Sequence, residues 1–235
     1  MKAQEIKAVI TGGTAGIGLA IAKAIIAAGG KAAVCGRNPM RVKEVSEMGV
    51  LAFVADVTSE KQVQDFFSAV KSEWGCYNVL VNNAAYGHFA LLTELKSEDF
   101  EALLKVDVVG ALICAKLAAN DFIAQGTGNI INISSTAGLS GFAGGSAYVA
   151  AKFALKGMTE CWRAELRKHG IRVMLINPSE VQTTFYLNSG LGDRPHNPSK
   201  LQAEDIAHTL LSMLTMNDRG FITEATVFAT NPQNL

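Results

Sequence analysis

Tyr148 and Lys152 are four residues apart, a spacing that sets both side chains on one face of a helix. A tyrosine hydroxyl ordinarily titrates near pH 10 and is a poor proton donor–acceptor couple at neutrality. An ammonium beside it favours the phenolate. Bringing it to neutral pH means a displacement of about three units, roughly 4 kcal/mol. Lys152 and a positively charged ligand ring could share that work. A YxxxK pattern alone is common by chance, so its surroundings decide. Ser134-Ser135 closes an apolar, β-branched run, and Ser135 stands thirteen residues before Tyr148. Open α/β sheets gather ligands at strand C-terminal ends. A Ser135 hydroxyl there can hydrogen-bond a carbonyl oxygen beside the tyrosine.

A second pattern is the turn Thr11-Gly12-Gly13-Thr14-Ala15-Gly16-Ile17-Gly18. It joins an apolar run to a helical one. Glycines permit positive φ and close backbone approach to a ligand. The helix N-terminus that follows offers free N–H groups and partial positive charge to a pyrophosphate. The spacing is TGxxxGxG and not GxGxxG, so a purely structural turn is the alternative. Where the second apolar run ends, an NAD site wants a carboxylate for the ribose 2′-hydroxyl. Gly36-Arg37-Asn38 stands there instead. Arginine grips a 2′-phosphate through forked, charge-assisted hydrogen bonds, so the expected cofactor is NADP. The alternative is a solvated surface arginine.

These groups need elements to position them. Strand-like runs are expected at Ile6–Thr11, Lys31–Gly36, Val50–Ala55, Tyr77–Asn82, Asn129–Ser134, Ile171–Asn177 and Ile222–Ala229. Helices are expected at Ile17–Ala28, Pro39–Met48, Ser59–Trp74 with Ser59 as cap, Ser97 to about Gln125, Ser146–His169 and Ala203–Met216. Continuous apolar strands alternating with helices predict one α/β domain over residues 1–235, a doubly wound Rossmann-type parallel sheet of about seven strands with helices on both faces. Residues 181–200 have no clear periodicity and are the candidate substrate loop, with a plain flexible loop as the alternative.

Composition removes other classes. The 235 residues carry 21 Lys plus Arg against 21 Asp plus Glu, so no basic excess invites nucleic acid or an anionic membrane. No apolar run approaches a membrane span. The polar start, Met1–Glu5, does not read as a secretory signal. Cys35, Cys76, Cys114 and Cys161 lie far apart and read as reduced, core-type thiols of a cytoplasmic protein. No metal is expected, because the four histidines show no ligand spacing. His88 follows the fourth strand, where substrate contact and a plain surface loop compete.

The ordered motifs TGGTAGIG (11–18), Asp56-Val57, NNAA (82–85), NISS (132–135), Tyr148-Val149-Ala150-Ala151-Lys152 and Asn177-Pro178-Ser179 resemble the short-chain dehydrogenase/reductase family from Ile6 to about Thr183. The C-terminal stretch Glu224–Pro232 resembles the 3-oxoacyl-carrier-protein-reductase-like and sepiapterin-reductase-like branches. The resemblance implies NAD(P)-dependent interconversion of a carbonyl and an alcohol. Tyr148 would be the acid/base, Ser135 would orient the carbonyl, and Lys152 would hold the ribose and lower the tyrosine pKa. Gly12, Thr14, Gly16, Ile17, Gly18, Arg37 and Asn38 would form the cofactor cradle. Asp56 and Val57 would meet the adenine, Asn83 would line the cleft, and Val181 and Thr183 would hold the carboxamide end. A homodimer or homotetramer built on the two long helices is also implied. Val109, Ile113, Leu117, Phe153 and Trp162 are candidate interface residues, with core burial competing. The substrate would be a small carbonyl or alcohol compound, a 3-oxoacyl thioester being the leading candidate. A non-catalytic NADP-binding sensor or scaffold is the alternative function.

Four departures stand against the family pattern. NNAG reads NNAA, ending at Ala85, which is tolerable if φ is negative there. The PG pair reads Pro178-Ser179. The glycine-rich ending is replaced by Glu224–Pro232 (EATVFATNP). The helix asparagine of NxxG is Asp107, which can pair with Lys152, raise its pKa and weaken its push on Tyr148; a non-catalytic, helix-kinking residue is the alternative. Phe89, Phe142, Phe185 and Tyr186 fall on loops at the same edge and suggest an apolar substrate pocket.

Overall fold

The computed structural model describes residues 1–190, 192 and 195–230, with backbone only at Tyr186 and Asn188. Seven strands form one parallel sheet: β1 (Lys7–Thr11), β2 (Lys31–Gly36), β3 (Leu51–Val54), β4 (Val79–Asn82), β5 (Gly128–Ile133), β6 (Ile171–Pro178) and β9 (Glu224–Val227). Their order across the sheet is β3-β2-β1-β4-β5-β6-β9. The order reverses between β1 and β4, and the crevice outside the strand ends at such a reversal is where open α/β sheets take ligands. A separate two-stranded pair, β7 (Val181–Gln182) and β8 (Leu201–Gln202), closes the base of the 181–200 segment.

The strands bury both faces. Ile10, Val34, Val81 and Ile131 point to one side, where they meet Ile21 and Ile25 of α1 (Gly16–Ala27) and Ile206 and Leu210 of α8 (Ala203–Leu214). Val9, Leu80, Ile130 and Val173 point to the other. There they meet Phe66, Phe67 and Val70 of α3 (Glu60–Trp74) and Phe122 of α5 (Ala111–Gln125). The two-residue alternation of each strand decides which face each side chain joins. Helix α2 (Pro39–Glu47) starts as its sequence predicts: Asn38 Oδ1 accepts from the amides of Met40 (2.9 Å) and Arg41 (3.2 Å), with proline in the first turn. Ser59 caps α3 by accepting from the Gln62 amide.

The helix expected as continuous from Ser97 to about Gln125 is not regular. Helix α4 (Ser97–Leu104) passes into a π-helical stretch, Lys105–Gly110, before α5 resumes. A π turn admits an extra residue and re-aims side chains, often at functional sites. Gly110 at its end lies against Val57, whose Cγ2 would be 2.8 Å from an added Cβ.

Helix α6 (Ser146–Leu166) carries Tyr148 and Lys152. Beneath it runs a buried polar chain. Asn82 Nδ2 donates to Asn132 Oδ1 (2.9 Å), Asn132 Nδ2 to Thr159 Oγ1 (2.7 Å), and Thr159 Oγ1 to the Leu155 carbonyl (2.7 Å). This chain ties β4, β5 and α6 together under the cleft.

Three expectations need correction. Cys35 and Cys114 are buried, and burial pushes the Cys35 thiol up to about 12. Cys76 and Cys161, however, are exposed and are not core residues. The candidate interface set also divides. Val109 and Phe153 are exposed, whereas Ile113, Leu117 and Trp162 pack against the core. The 181–200 segment is not wholly irregular, since it holds the β7 strand and a single helical turn, α7 (Phe185–Asn188). Gln182 pins its base, donating to the Pro195 carbonyl (3.0 Å) and accepting from the Asn197 amide (2.6 Å). No described helix is long and apolar enough to cross a membrane.

Candidate active site

One open cleft of about 1190 Å³ runs along the C-terminal edge of the sheet. Of the residues singled out in the sequence, Gly12, Thr14, Gly16, Ile17, Arg37, Asn38, Asp56, Val57, Asn83, Ser135, Tyr148, Lys152, Val181 and Thr183 line it. Gly18 and Asp107 do not. Gly18 lies under the turn, where an added Cβ would stand 2.5 Å from Asn83 Nδ2 and 2.7 Å from the Gly12 carbonyl oxygen. Its missing side chain serves close packing, not ligand contact. Asp107 instead borders a small inner cavity of about 10 Å³, shared with Asn82 and Lys152. His88 is not in the cleft wall; its Nε2 is 3.7 Å from Asp99 Oδ2.

The glycine turn is held from below. Asn83 Nδ2 donates to the carbonyls of Thr11 (3.0 Å) and Gly12 (3.1 Å), and the Asn83 and Ala84 amides both donate to Thr11 Oγ1 at 3.0 Å. Asn83 therefore lines the cleft but spends its amide on the turn. Gly12 (φ 63°) and Gly16 (φ 51°) occupy the left-handed region, and a Cβ on Gly12 would meet the Ala84 Cα at 2.8 Å. A bare backbone loop opening onto a helix N-terminus fits a pyrophosphate. At the end of β2, Arg37 and Arg41 both face this cleft. Sequence reasoning missed Arg41, although it lies four residues after Arg37 in the first turn of α2. Asp56 Oδ1 accepts from the Thr58 amide (2.8 Å) and hydroxyl (2.9 Å), which orients the loop beside Val57.

At the other end Ser135, Tyr148 and Lys152 converge. Ser135 caps a short 3₁₀ turn, its Oγ accepting from the Ala137 amide at 3.1 Å. Ser135 stands near enough to Tyr148 to pull its pKa down. Lys152 Nζ lies 5.2 Å from the Tyr148 ring centroid and 3.0 Å from Asp107 Oδ2. Asp107 Oδ1 accepts from the Tyr86 amide at 3.1 Å. The π turn thus points a carboxylate at the lysine from behind the cleft.

The electrostatics differ from the expectation of an acidified tyrosine. Burial is the largest influence on Tyr148 and holds its pKa above the ordinary value, with Asp107 adding to the rise; Lys152 and Ser135 oppose it. Burial alone would lower Lys152, but the Asp107 carboxylate outweighs it and the ammonium is held above its usual range. Burial likewise lifts the Asp107 carboxyl, against the pull of Lys152. At neutral pH the tyrosine therefore keeps its proton.

The departures fit locally. No described non-glycine residue has positive φ, so Ala85 is unstrained. The Ser179 amide donates to the Val227 carbonyl at 2.8 Å, joining the cleft edge to β9. Of the altered C-terminal stretch, Asn231 and Pro232 lie outside the described residues, as does the Tyr186 side chain.

A sheet of this order with a glycine turn at its switch point defines a Rossmann-type α/β fold. The family model for short chain dehydrogenases matches residues 7–191, and the chain belongs to that oxidoreductase family. It is 30% identical over 229 residues to an uncharacterized oxidoreductase of Staphylococcus epidermidis, covering 96% of this chain and 98% of that one. It is 36% identical over 176 residues to carbonyl reductase family member 4 of Xenopus laevis, covering 74% and 75%. The closed form of a serine dehydrogenase complexed with NADP+ superimposes with a TM-score of 0.87 at 27% identity, covering 94% of each chain.

Proposed function

We propose that the protein is an NADP(H)-dependent oxidoreductase that interconverts a carbonyl and an alcohol, with Tyr148 as general acid/base. The observation that carries this reading is the convergence of Ser135, Tyr148 and Lys152 at one end of a cleft whose other end presents Arg37 and Arg41. The NADP+ held by the similar serine dehydrogenase supports the same cofactor here. Gly12, Thr14, Gly16 and Ile17 would cradle the pyrophosphate, and the two arginines would grip the 2′-phosphate. Asn38 would border that phosphate while capping α2, Asp56 and Val57 would flank the adenine, and Val181 and Thr183 the carboxamide. A nicotinamide held there would supply the hydride that reduces the carbonyl carbon.

The chain's own residues handle the proton. Ser135 donates a hydrogen bond to the substrate oxygen and fixes it beside the Tyr148 hydroxyl. Tyr148 transfers its proton to that oxygen as negative charge develops there, completing the alcohol. The phenolate left behind is stabilised by the Lys152 ammonium. Asp107 is a positioning residue: it holds Lys152 by the ion pair and offsets part of its charge. Of the candidate substrate loop, residues 191, 193 and 194 lie outside the described residues, while Val181, Thr183 and Phe185 would border the substrate; the exposed Val109, Leu112 and Phe153 are the apolar surface that a homo-oligomer would cover.

The test is NADPH consumption at 340 nm across a panel of ketones. Tyr148→Phe should retain NADPH binding and lose about 10²–10⁴-fold in turnover. Tight NADPH binding with no turnover of any ketone would instead favour a cofactor sensor on the same fold.

A further inference from the structure

Three aromatic side chains crowd the Tyr148 end of the cleft. The Tyr148 ring lies 5.5 Å from Phe89 and 5.6 Å from Phe185, centroid to centroid, both tilted by 55°. Phe142 continues the wall at 6.1 Å from Phe89. They come from three separate segments: the loop after β4, the loop before α6, and α7. Bare glycine backbone seats them. A Cβ on Gly87 would stand 2.6 Å from Phe89 Cε2 and 2.9 Å from Phe185 Cζ, and one on Gly145 would stand 2.7 Å from Phe142 Cε2. Phe142 is nevertheless 51% exposed, an apolar face open to the cleft that a ligand ring would cover.

Among the described residues, the cations lining the cleft are Arg37, Arg41, Lys105 and Lys152. Arg37 and Arg41 stand at the far end and Lys105 on the π turn, whereas Lys152 lies 5.2 Å from the Tyr148 ring but is ion-paired with Asp107. The segments bearing the rings (84–92, 135–147 and 178–190) contain no lysine or arginine. Their single acid, Glu180, is ion-paired with Lys200. An anionic group placed among these rings would lose its hydration and meet, among the described residues lining the cleft there, only a lysine already paired with Asp107. A flat neutral ring gains apolar burial and tilted aromatic contacts.

We infer that this pocket takes an uncharged ketone bearing an aromatic ring, seated against the open face of Phe142 and the neighbouring rings of Phe89 and Phe185. The inference rests on the reductase reading and names the substrate class of the same site. A 3-oxoacyl thioester, whose carrier arm bears a phosphate, becomes the competing outcome.

The experiment compares acetophenone, phenylglyoxylate, 2-butanone and an acetoacetyl thioester as NADPH-dependent substrates, and measures acetophenone binding calorimetrically to the Tyr148→Phe protein loaded with NADPH. Acetophenone should exceed phenylglyoxylate in kcat/KM by about tenfold or more. Phe142→Ala should raise KM for acetophenone by about tenfold, with a smaller change in kcat and a smaller rise in KM for 2-butanone. It should also weaken acetophenone binding in the Tyr148→Phe background by a similar factor. Preference for phenylglyoxylate or the thioester would overturn the pocket assignment and leave the reductase reading standing. So would an unchanged acetophenone KM in Phe142→Ala. Binding that depends on Phe142, with no ketone reduced by the unmodified protein, would keep the pocket and overturn the reductase reading. Acetophenone that neither binds nor reacts overturns the pocket.

Discussion

Lys152 Nζ lies 3.0 Å from Asp107 Oδ2, and both side chains are closed off from solvent. The pair is not a surface ornament. Taking two ions out of water is costly, and their mutual contact, with the Tyr86 amide donating to Asp107 Oδ1, offsets that cost. It also sets the charge felt by Tyr148, because a neutralised ammonium draws the phenol proton less strongly than a bare one.

The first prediction follows from that sign. Tyr148 is raised above its ordinary value by burial first and by Asp107 in addition, so it donates a proton through neutral pH and acts as a base only as pH climbs. Alcohol oxidation by NADP+ should therefore accelerate on the alkaline side. Asp107→Asn removes the carboxylate and leaves Lys152 unneutralised. The rising limb of the oxidation pH profile should then move to lower pH by about one unit. Initial rates across a buffered pH series check this, and a limb that stays in place would show that Asp107 does not act on Tyr148.

The 2′-phosphate assignment has its own signature. Arg37→Asp should weaken NADPH binding by at least about tenfold more than NADH binding, since it replaces a charge-assisted donor with a repelling carboxylate. Arg41→Ala should act in the same direction with a smaller loss. Equal losses for the two cofactors in fluorescence titrations would remove NADP as the preferred ligand.

Glycine 18 should report on the architecture under the turn. A Cβ there would collide with backbone, at 2.7 Å from the Gly12 oxygen and 2.9 Å from the Gly13 Cα, as well as with the Asn83 amide. Gly18→Ala should displace the loop, cost about 1–3 kcal/mol of stability and weaken NADPH binding. Gly126→Ala is the comparison. That residue ends α5 at φ 69° with no atom near an added Cβ, so its cost of about 1 kcal/mol should leave NADPH affinity unchanged.

The buried polar chain should matter for stability more than for chemistry. Thr159→Val leaves the Asn132 amide and the Leu155 carbonyl without their shared hydroxyl. The expected cost is about 1–3 kcal/mol, seen as a Tm lowered by roughly 2–10 °C. Thr159→Ser, which keeps the hydroxyl, should recover most of it. A Val variant as stable as the original would show that the core rearranges to satisfy both groups.

Much of the cleft was legible along the chain because its devices are local. The strand–glycine–helix turn, Arg37 at a strand end, Ser135 at another and the four-residue step from Tyr148 to Lys152 each depend on backbone geometry over a few residues. Arg41 was readable too, since Asn38-Pro39 marks a helix start and places Arg41 in the first turn beside the end of β2. Some boundaries shifted, as at β4, which starts at Val79 and not Tyr77, because hydrogen-bond pairing with neighbouring strands sets the ends.

The sequence by itself determined the alternation of strands and helices and the edge at which the reactive groups emerge, since periodicity and strand direction are properties of consecutive residues. Only the tertiary structure decided that Asp107 faces Lys152 from across an irregular helical turn. It also decided that Asn83 spends its amide on the glycine loop, and that three phenyl rings from distant segments meet at Tyr148. Those relations depend on how strand order brings separate elements together and on which groups must find partners once water is excluded. That is a condition on space, not on spacing along the chain.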